Sequence, residues 1–370
     1  MNSNSLTLKI ERAISELRRG GKLVISDINS GMSVLLIASE LIEGNTVKVL
    51  SGLALSRPNI ILSRNRCIAI GIKEAIGPCS ILIKNDWTNN DILSLCMPLT
   101  GHKIPKIDGA LPESNKGIVS SCILLLRQSR LLPAGLMAII SNVQIEKINK
   151  WAFDNNLIHV NTSDIKSYEK ICASNLTMAV KAKVPLKYTE NCEILIFRPG
   201  DGGNEHFCLV FGKNRKLNKD NSLVRIHSQC ITGDVLDSLK CDCGQQLKQT
   251  IKLMAKADEG VLIYLAQEGR DIGLLNKLRA YSLQESGMDT VEANEDLGFN
   301  DDERLYYPAI EILKQLKINN VKLITNNPKK VEQLKNLGIN IIKRVPIKIS
   351  PNKHNKKYLE TKSNKSGHIL

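Results

Sequence analysis

Hydrophobic positions recur at helical spacing over 8–19, where Ile10, Ala13, Ile14 and Leu17 share one face. Gly20-Gly21 ends that helix, and the apolar stretch 22–26 reads as a strand. Short apolar segments follow at 34–41, 59–62, 67–72 and 80–83, parted by turn residues. The spacing then predicts a helix over 117–127, a strand over 136–140 after Pro133-Ala134-Gly135, a helix over 145–155 and a strand over 158–161. Residues 163–188 are polar, helical in pattern and lysine-bearing, and read as the domain linker. Beyond it, strands at 192–197 and 206–211 flank the hairpin signal Pro199-Gly200-Asp201-Gly202-Gly203. A strand at 223–228 runs into a polar segment with three cysteines. Helices over 245–257, 272–284, 305–316 and 329–337 then alternate with strands at 260–265, 321–325 and 339–342. This alternation predicts α+β or α/β architecture: two domains over 1–170 and 183–370, each a mixed sheet with flanking helices. There is no internal repeat.

Length and composition agree with two domains. At 370 residues the chain can build two real cores, and 42% hydrophobic with 24% charged residues is a globular balance. The longest apolar runs are too short for a bilayer, so no membrane partner is expected. Residues 1–7 are polar and lack a signal-peptide pattern, and the reading is cytoplasmic. Seven of the ten cysteines (67, 79, 96, 122, 172, 192 and 208) are scattered among apolar neighbours, as reduced buried thiols are. The net charge of +14 raises nucleic acid as a partner. Yet residues 343–370 carry eight Lys or Arg against the single acid Glu360, half of the total charge. With only 4% aromatics for base stacking, the tail reads as solvated and no nucleic-acid partner is expected.

Four constellations carry chemistry. Cys230, Cys241 and Cys243 lie within fourteen residues and can fill three corners of a zinc tetrahedron, leaving the fourth open for water. A structural zinc, or three unmetallated thiols, are the other readings of that spacing. Strand-borne His227 can meet either substrate or metal. Gln267-Glu268-Gly269-Arg270 follows a strand, where α/β folds hold ligands. There Arg270 can grip phosphate, and Glu268 can accept from a base or bind Mg²⁺. Thr325-Asn326-Asn327-Pro328-Lys329-Lys330 ends a strand and opens a helix, which makes either an anion site or an ordinary cap. Asp301-Asp302-Glu303-Arg304 is a charge cluster ahead of a helix. Together they describe a hydrolase acting on an anionic, phosphorylated substrate.

The ordered set Arg225-Ile226-His227-Ser228-Gln229-Cys230, Thr232-Gly233-Asp234, Cys241-Asp242-Cys243-Gly244, Gln267 to Arg270, Lys277 with Arg279 and Tyr281, Asp289-Thr290, Asp302 with Arg304, and Thr325 to Lys330 resembles GTP cyclohydrolase II over about half the chain. Tyr358 to Lys362 and Gly367-His368 resemble that family's closing residues. The resemblance implies conversion of GTP and water to 2,5-diamino-6-(5-phospho-D-ribosylamino)pyrimidin-4(3H)-one, formate and pyrophosphate, the first step of riboflavin biosynthesis. It implies zinc, one per chain, with Mg²⁺ and a homodimer. Cys230, Cys241 and Cys243 match the zinc ligands, whose activated water attacks C8 of guanine. Arg304 matches the group proposed to engage the α-phosphorus, Asp302 its proton acceptor and Tyr281 a catalytic contributor. Arg225, Ile226, His227, Ser228, Gln229, Gln246, Glu268, Gly269, Arg270, Thr290, Thr325 and Lys330 match GTP-contacting positions. Gln229 stands where the family usually has Glu, and Asp271 where a small residue is common.

The first segment resembles 3,4-dihydroxy-2-butanone 4-phosphate synthase, notably over 10–25, 35–40 and 131–140. That chemistry needs an acid-rich run, but here Ser26-Asp27-Ile28-Asn29-Ser30-Gly31-Met32-Ser33 has one carboxylate. Gly117-Ile118-Val119-Ser120 lacks the family histidine, and Ile139 replaces a Glu. The expectation is a degenerate domain without synthase activity, acting as scaffold or dimerisation module. The alternative for the whole chain is a non-catalytic zinc-binding regulator or assembly partner of riboflavin synthesis.

Overall fold

Period-2 and period-3.6 apolar patterns alternate along the chain, and strands and helices follow them. The computed structural model describes residues 3–98, 103–213, 221–365 and 367; His368 of the expected closing motif lies outside the described residues. Two units separate by packing: Met1–Tyr168 with Leu275–Met288 and Glu292–Asp302, and Glu169–Leu274 with Asp289–Val291 and Glu303–Leu370.

The first unit is a mixed seven-stranded sheet of β1 (Leu23–Asp27), β2 (Met32–Ala38), β3 (Asn59–Leu62), β4 (Cys79–Leu82), β5 (Leu111–Pro112), β6 (Ala134–Ile139) and β7 (Ile158–Asn161), ordered β5-β4-β3-β6-β2-β1-β7. Among the described residues, β1 with β7 is the one neighbouring pair that runs parallel. Helices α1 (Ser3–Arg18), α2 (Thr46–Ala54), α3 (Arg64–Ala69), α4 (Asn89–Cys96), α5 (Ile118–Gln128) and α6 (Ile148–Asp154) flank it, and α7 (Thr162–Ser174) follows β7. The apolar face of α1 is the expected one, with Ile10, Ala13, Ile14 and Leu17 all buried. The stretch 67–72 differs from expectation. It lies in and after α3, a helix begun by Ser63, whose Oγ accepts from Arg66 N at 3.3 Å.

The second unit is another mixed seven-stranded sheet: β8 (Thr177–Lys183), β9 (Cys192–Arg198), β10 (His206–Phe211), β11 (Ser222–Ser228), β12 (Gly260–Leu265), β13 (Asn320–Ile324) and β14 (Asn340–Val345). Its order is β14-β13-β11-β12-β10-β9-β8. Helices α8 (Ile231–Asp234), α9 (Cys243–Ala257), α10 (Leu274–Glu285), α11 (Thr290–Asp296), α12 (Tyr307–Gln315), α13 (Pro328–Asn336) and α14 (Lys356–Asn364) complete the chain. Of the helical linker expected over 163–188, α7 supplies a helix as far as Ser174, and β8 corrects the rest. Its residues are exposed on both faces, and pairing with β9 rather than burial sets its conformation. Each unit is thus a mixed sheet with flanking helices.

β14, β13, β11 and β12 run parallel, so the loops after β11, β12 and β13 open at one end of the sheet. Val24, Leu35, Ile60, Leu62 and Leu136 sit in the core of the first unit. Val224, Ile226, Val261, Ile263 and Leu323 do the same on one face of the second sheet. Leu209, Leu223, Leu262 and Met254 of α9 pack on the other. Among the described residues no helix is long and apolar enough to cross a membrane. The basic tail is not simply solvated: Leu359 and Asn355 are buried, and Lys365 pairs with Asp289.

Candidate metal and nucleotide site

β11 delivers the first functional side chains. Its alternation puts Val224 and Ile226 into one core and Arg225 and His227 on the Leu223 face, over which α9 packs. Arg225 Nη1 donates to Ile324 O at 3.0 Å, and Nη2 donates to Gln246 Oε1 at 2.5 Å. Gln246 Nε2 in turn donates to Asp242 Oδ2 at 2.5 Å. Burial pushes the Arg225 guanidinium down, with Asp242 opposing. Buried Arg225 Nε and His227 Nδ1 have no hydrogen-bond partner among the described residues, an arrangement suited to an incoming ligand.

The chain leaves β11 through Gln229, whose N–H donates to Leu265 O at 2.8 Å, and reaches Cys230. The Sγ atoms of Cys230, Cys241 and Cys243 lie within 4.8 Å of one another, and those of Cys230 and Cys241 are 3.7 Å apart. A zinc with thiolate bonds of about 2.3 Å sets tetrahedral edges of about 3.8 Å, so the sulfurs fit that ion. Among the described residues no fourth His, Cys or carboxylate joins them, which leaves a corner open. The hydrogen bond shared with Cys230 pushes the Cys241 thiol up to about 11, and hydrogen bonds to Cys230 and Cys241 raise Cys243. Crowded thiols hold their protons, and a cation in their midst replaces them. Gly233 makes the cluster possible: a Cβ there sits 2.8 Å from Cys241 Sγ and 3.2 Å from Cys230 Sγ.

Asp234 organises what surrounds the cysteines. Its carboxylate accepts from Cys230 N at 3.0 Å, from the Tyr264 hydroxyl at 2.8 Å and from His227 Nε2 at 3.2 Å. A carboxylate only accepts, so Nε2 carries the His227 proton and Nδ1 is left as an acceptor. Burial lowers His227, against the pull of Asp234. The register places His227 opposite Tyr264, with ring centroids 5.5 Å apart, and Tyr264 stacks on Phe207. His227 is therefore bound to Asp234, not drawn into the sulfur cluster.

Glu268 accepts from Ile231 N at 2.7 Å and from Gly269 N at 3.1 Å, tying the loop after β12 to the one after Cys230. Gly269, Arg270 and Asp271 follow at φ +64°, +60° and +77°. Left-handed backbone at two non-glycine residues costs about 1 kcal/mol or more each, as functional loops often do. The Arg270 carbonyl accepts from Glu303 N at 3.2 Å. Arg304 Nη1 lies 3.5 Å from Ser228 Oγ, and its guanidinium lies 5.9 Å from the Tyr306 ring centroid. Lys330 Nζ is 5.2 Å from the same centroid and donates to Ile226 O at 3.0 Å. Asn327 caps α13 through Lys330 N at 3.4 Å, and Thr325 Oγ1 accepts from Asn327 N at 3.1 Å. Two cations thus share Tyr306 near the end of β11, an electropositive region matched to phosphate.

The expected residues Arg225, Ile226, His227, Ser228, Gln229, Gln246, Glu268, Gly269, Arg270, Thr325, Lys330, Arg304 and the three cysteines all belong to the second unit, as does Thr290, which opens α11. Tyr281 and Asp302 belong to the first unit, where Lys277 Nζ lies 5.7 Å from the Tyr281 ring centroid. Sequence reading assigned no role to Asp234, Tyr264, Tyr306 or Gly233. The strand register that faces His227 to Tyr264 is the signal that could have found Tyr264.

The family model for GTP cyclohydrolase II matches residues 177–346. A GTP cyclohydrolase-2 of Azospirillum brasilense is 38% identical over 369 residues, 98% of this chain and 94% of the relative. One from Histophilus somni is 46% identical over 198 residues, 53% of this chain and 90% of its own. Among solved structures, a two-domain 3,4-dihydroxy-2-butanone 4-phosphate synthase from A. baumannii covers 92% of this chain and 99% of its own, at TM-score 0.37 and 15% identity. With a three-sulfur cluster beside buried Arg, Lys and His side chains, and similarity to one cyclohydrolase along nearly the whole length, this chain belongs to the GTP cyclohydrolase II family.

Proposed function

We propose that the protein hydrolyses GTP to 2,5-diamino-6-(5-phospho-D-ribosylamino)pyrimidin-4(3H)-one, formate and pyrophosphate. The observation that carries this reading is the open three-cysteine cluster that follows β11, the strand that bears Arg225 and that Arg304 and Lys330 reach through Ser228 and Ile226. Cys230, Cys241 and Cys243 hold one zinc, which supplies a water acidic enough to hydrolyse the guanine ring near neutral pH. His227 Nδ1, fixed as an acceptor by Asp234, is placed to take a proton or a donor group of the base. Arg225, through its unpartnered Nε, and Lys330 bind the nucleotide, with Gln246 and Asp242 holding the Arg225 fork. Thr325, Thr290 and the Glu268-Gly269-Arg270 loop complete its binding.

Arg304 is assigned to the α-phosphate by the resemblance to the family. A guanidinium keeps its proton, so stabilising charge at phosphorus is the role its chemistry favours, with Asp302 as proton acceptor and Tyr281 as a polar contributor. Mg²⁺ enters with the triphosphate, since it binds through phosphate oxygens and few carboxylates. A homodimer belongs to the same reading, and exposed Val235, Leu236 and Leu239 offer apolar surface for a partner copy.

The first unit contributes no synthase chemistry in this reading. Its Asp27 carboxylate already accepts from Thr162 Oγ1 at 3.1 Å and Ser30 Oγ at 3.0 Å, and no acid-rich run stands beside it. The test is purified zinc-loaded protein with GTP and Mg²⁺, following formate, pyrophosphate and the product by mass. Release of all three is expected. Zinc bound at one per chain without turnover overturns the proposal in favour of a non-catalytic regulator.

A further inference from the structure

Helix α3 and its cap grip a distant stretch of chain. Ser63 Oγ donates to Gly298 O at 2.6 Å, and Asn65 Nδ2 donates to Phe299 O at 2.7 Å. Arg66 Nη1 donates to Asp296 O at 2.8 Å and to Asp296 Oδ1 at 2.9 Å. The Arg66 fork is itself fixed, with Nε on Leu95 O and Nη2 on Ser94 O, both at 2.8 Å. Gly298 lies at φ +89°, and a Cβ there sits 2.7 Å from Ser63 Oγ, so the two backbones approach as closely as only glycine allows. A second grip holds α10: Glu40 pairs with Arg279 at 2.6 Å while accepting from Leu132 N at 2.9 Å, and Asn276 Nδ2 donates to Arg130 O at 2.9 Å.

These contacts share a logic. Every gripped residue lies inside the stretch matched by the GTP cyclohydrolase II model, and every gripping residue lies outside it. By packing, Leu275–Met288 and Glu292–Asp302 belong to the first unit. They carry Tyr281 and Asp302, both assigned to catalysis above. Carbonyls at 296, 298 and 299 are pinned just ahead of Asp302.

We infer that Ser63, Asn65 and Arg66, together with Glu40, are positioning residues for GTP hydrolysis: a domain without its own chemistry sets the backbone that presents Tyr281 and Asp302. This rests on the function proposed above. The grip acts on the turnover step, because a displaced proton acceptor or polar contributor lowers kcat while nucleotide binding by the other residues persists.

The experiment uses the full chain in four variants: Asn65→Ala with Asp296→Ala combined, Asp296→Ala, Asp296→Asn, and Ile60→Val as a core trim in the same unit. Formate release gives kcat and KM for GTP, and amide hydrogen exchange reports on residues 296–302. Expected are a fall in kcat of about tenfold or more in the double variant, KM within about twofold of the parent, and faster exchange confined to the gripped stretch. Asp296→Asn keeps an acceptor oxygen for Arg66 and recovers most of the turnover lost in Asp296→Ala. Ile60→Val, which weakens the unit without loosening the grip, keeps the parental kcat. An active parent whose double variant keeps both kcat and exchange rates overturns the inference, as does an equal loss in Ile60→Val. A parent that releases no formate overturns the function proposed above and this role with it.

Discussion

Replacing Gly233 with Ala tests whether the three sulfurs are held at zinc-binding distances by the backbone. The residue lies outside the left-handed region, so alanine meets no backbone penalty and the effect is steric. Its Cβ lands 2.8 Å from Cys241 Sγ, 3.1 Å from Cys243 Cβ and 3.2 Å from Cys230 Sγ. Ordinary contact begins near 3.5 Å, so the Cys241 sulfur must retreat by ~0.7 Å. A metal site tolerates about 0.2 Å of ligand displacement. The chain cannot shift α8 instead, because a Cβ on Gly244 already falls 2.0 Å from the Gly233 carbonyl, a measure of how tightly α8 and α9 meet. Zinc affinity should fall at least ~100-fold, which corresponds to ~2.7 kcal/mol. Competition against a chromogenic chelator measures it, with circular dichroism confirming the fold. A folded Gly233→Ala protein that keeps parental zinc affinity would refute the reasoning.

Three further outcomes follow from the same geometry. Asp234→Asn keeps an accepting oxygen for Cys230 N and Tyr264 but turns an amide donor toward His227 Nε2, so it should lower stability by ~1–3 kcal/mol and weaken zinc binding ~10-fold or more, read by thermal unfolding and chelator competition. Arg304→Lys keeps charge but loses the planar fork, and should cut GTP turnover ~100-fold with zinc content unchanged. Burial lowers His159 to about 4, where it hydrogen-bonds Ser26 and Asn149. The unfolded state therefore binds the extra proton between about 6.5 and 4: stability is complete above that window and lost as pH falls through it, by ~3 kcal/mol at most. Urea unfolding at pH 7 and pH 5 should show this loss in the parent and a flatter response in His159→Gln.

Much of this was legible because apolar period and function coincide on the same strands. The segments 59–62, 158–161, 206–211 and 260–265 are strands with the expected bounds, each an apolar run closed by turn residues. The cysteine cluster was legible because all three cysteines are close in sequence. β8 was not: its residues are exposed on both faces, so no alternation marks it, and only the edge offered by β9 makes it a strand. The Asp234 network was hidden because its partners come from β11 and β12, brought together by register rather than spacing. Nor does anything in the local sequence, where Arg64 stands two positions from Arg66, say that it is Arg66 that reaches Asp296. Buried polar contacts across 230 residues are fixed by the fold, not by either segment.

The most direct measurement of the central claim is formate release from GTP as zinc is titrated into metal-stripped protein in the presence of Mg²⁺. Turnover should rise in proportion to zinc bound, level off at one zinc per chain, and yield formate and pyrophosphate in equal amounts. Turnover indifferent to zinc, or one zinc bound per chain with no formate released, would contradict the account.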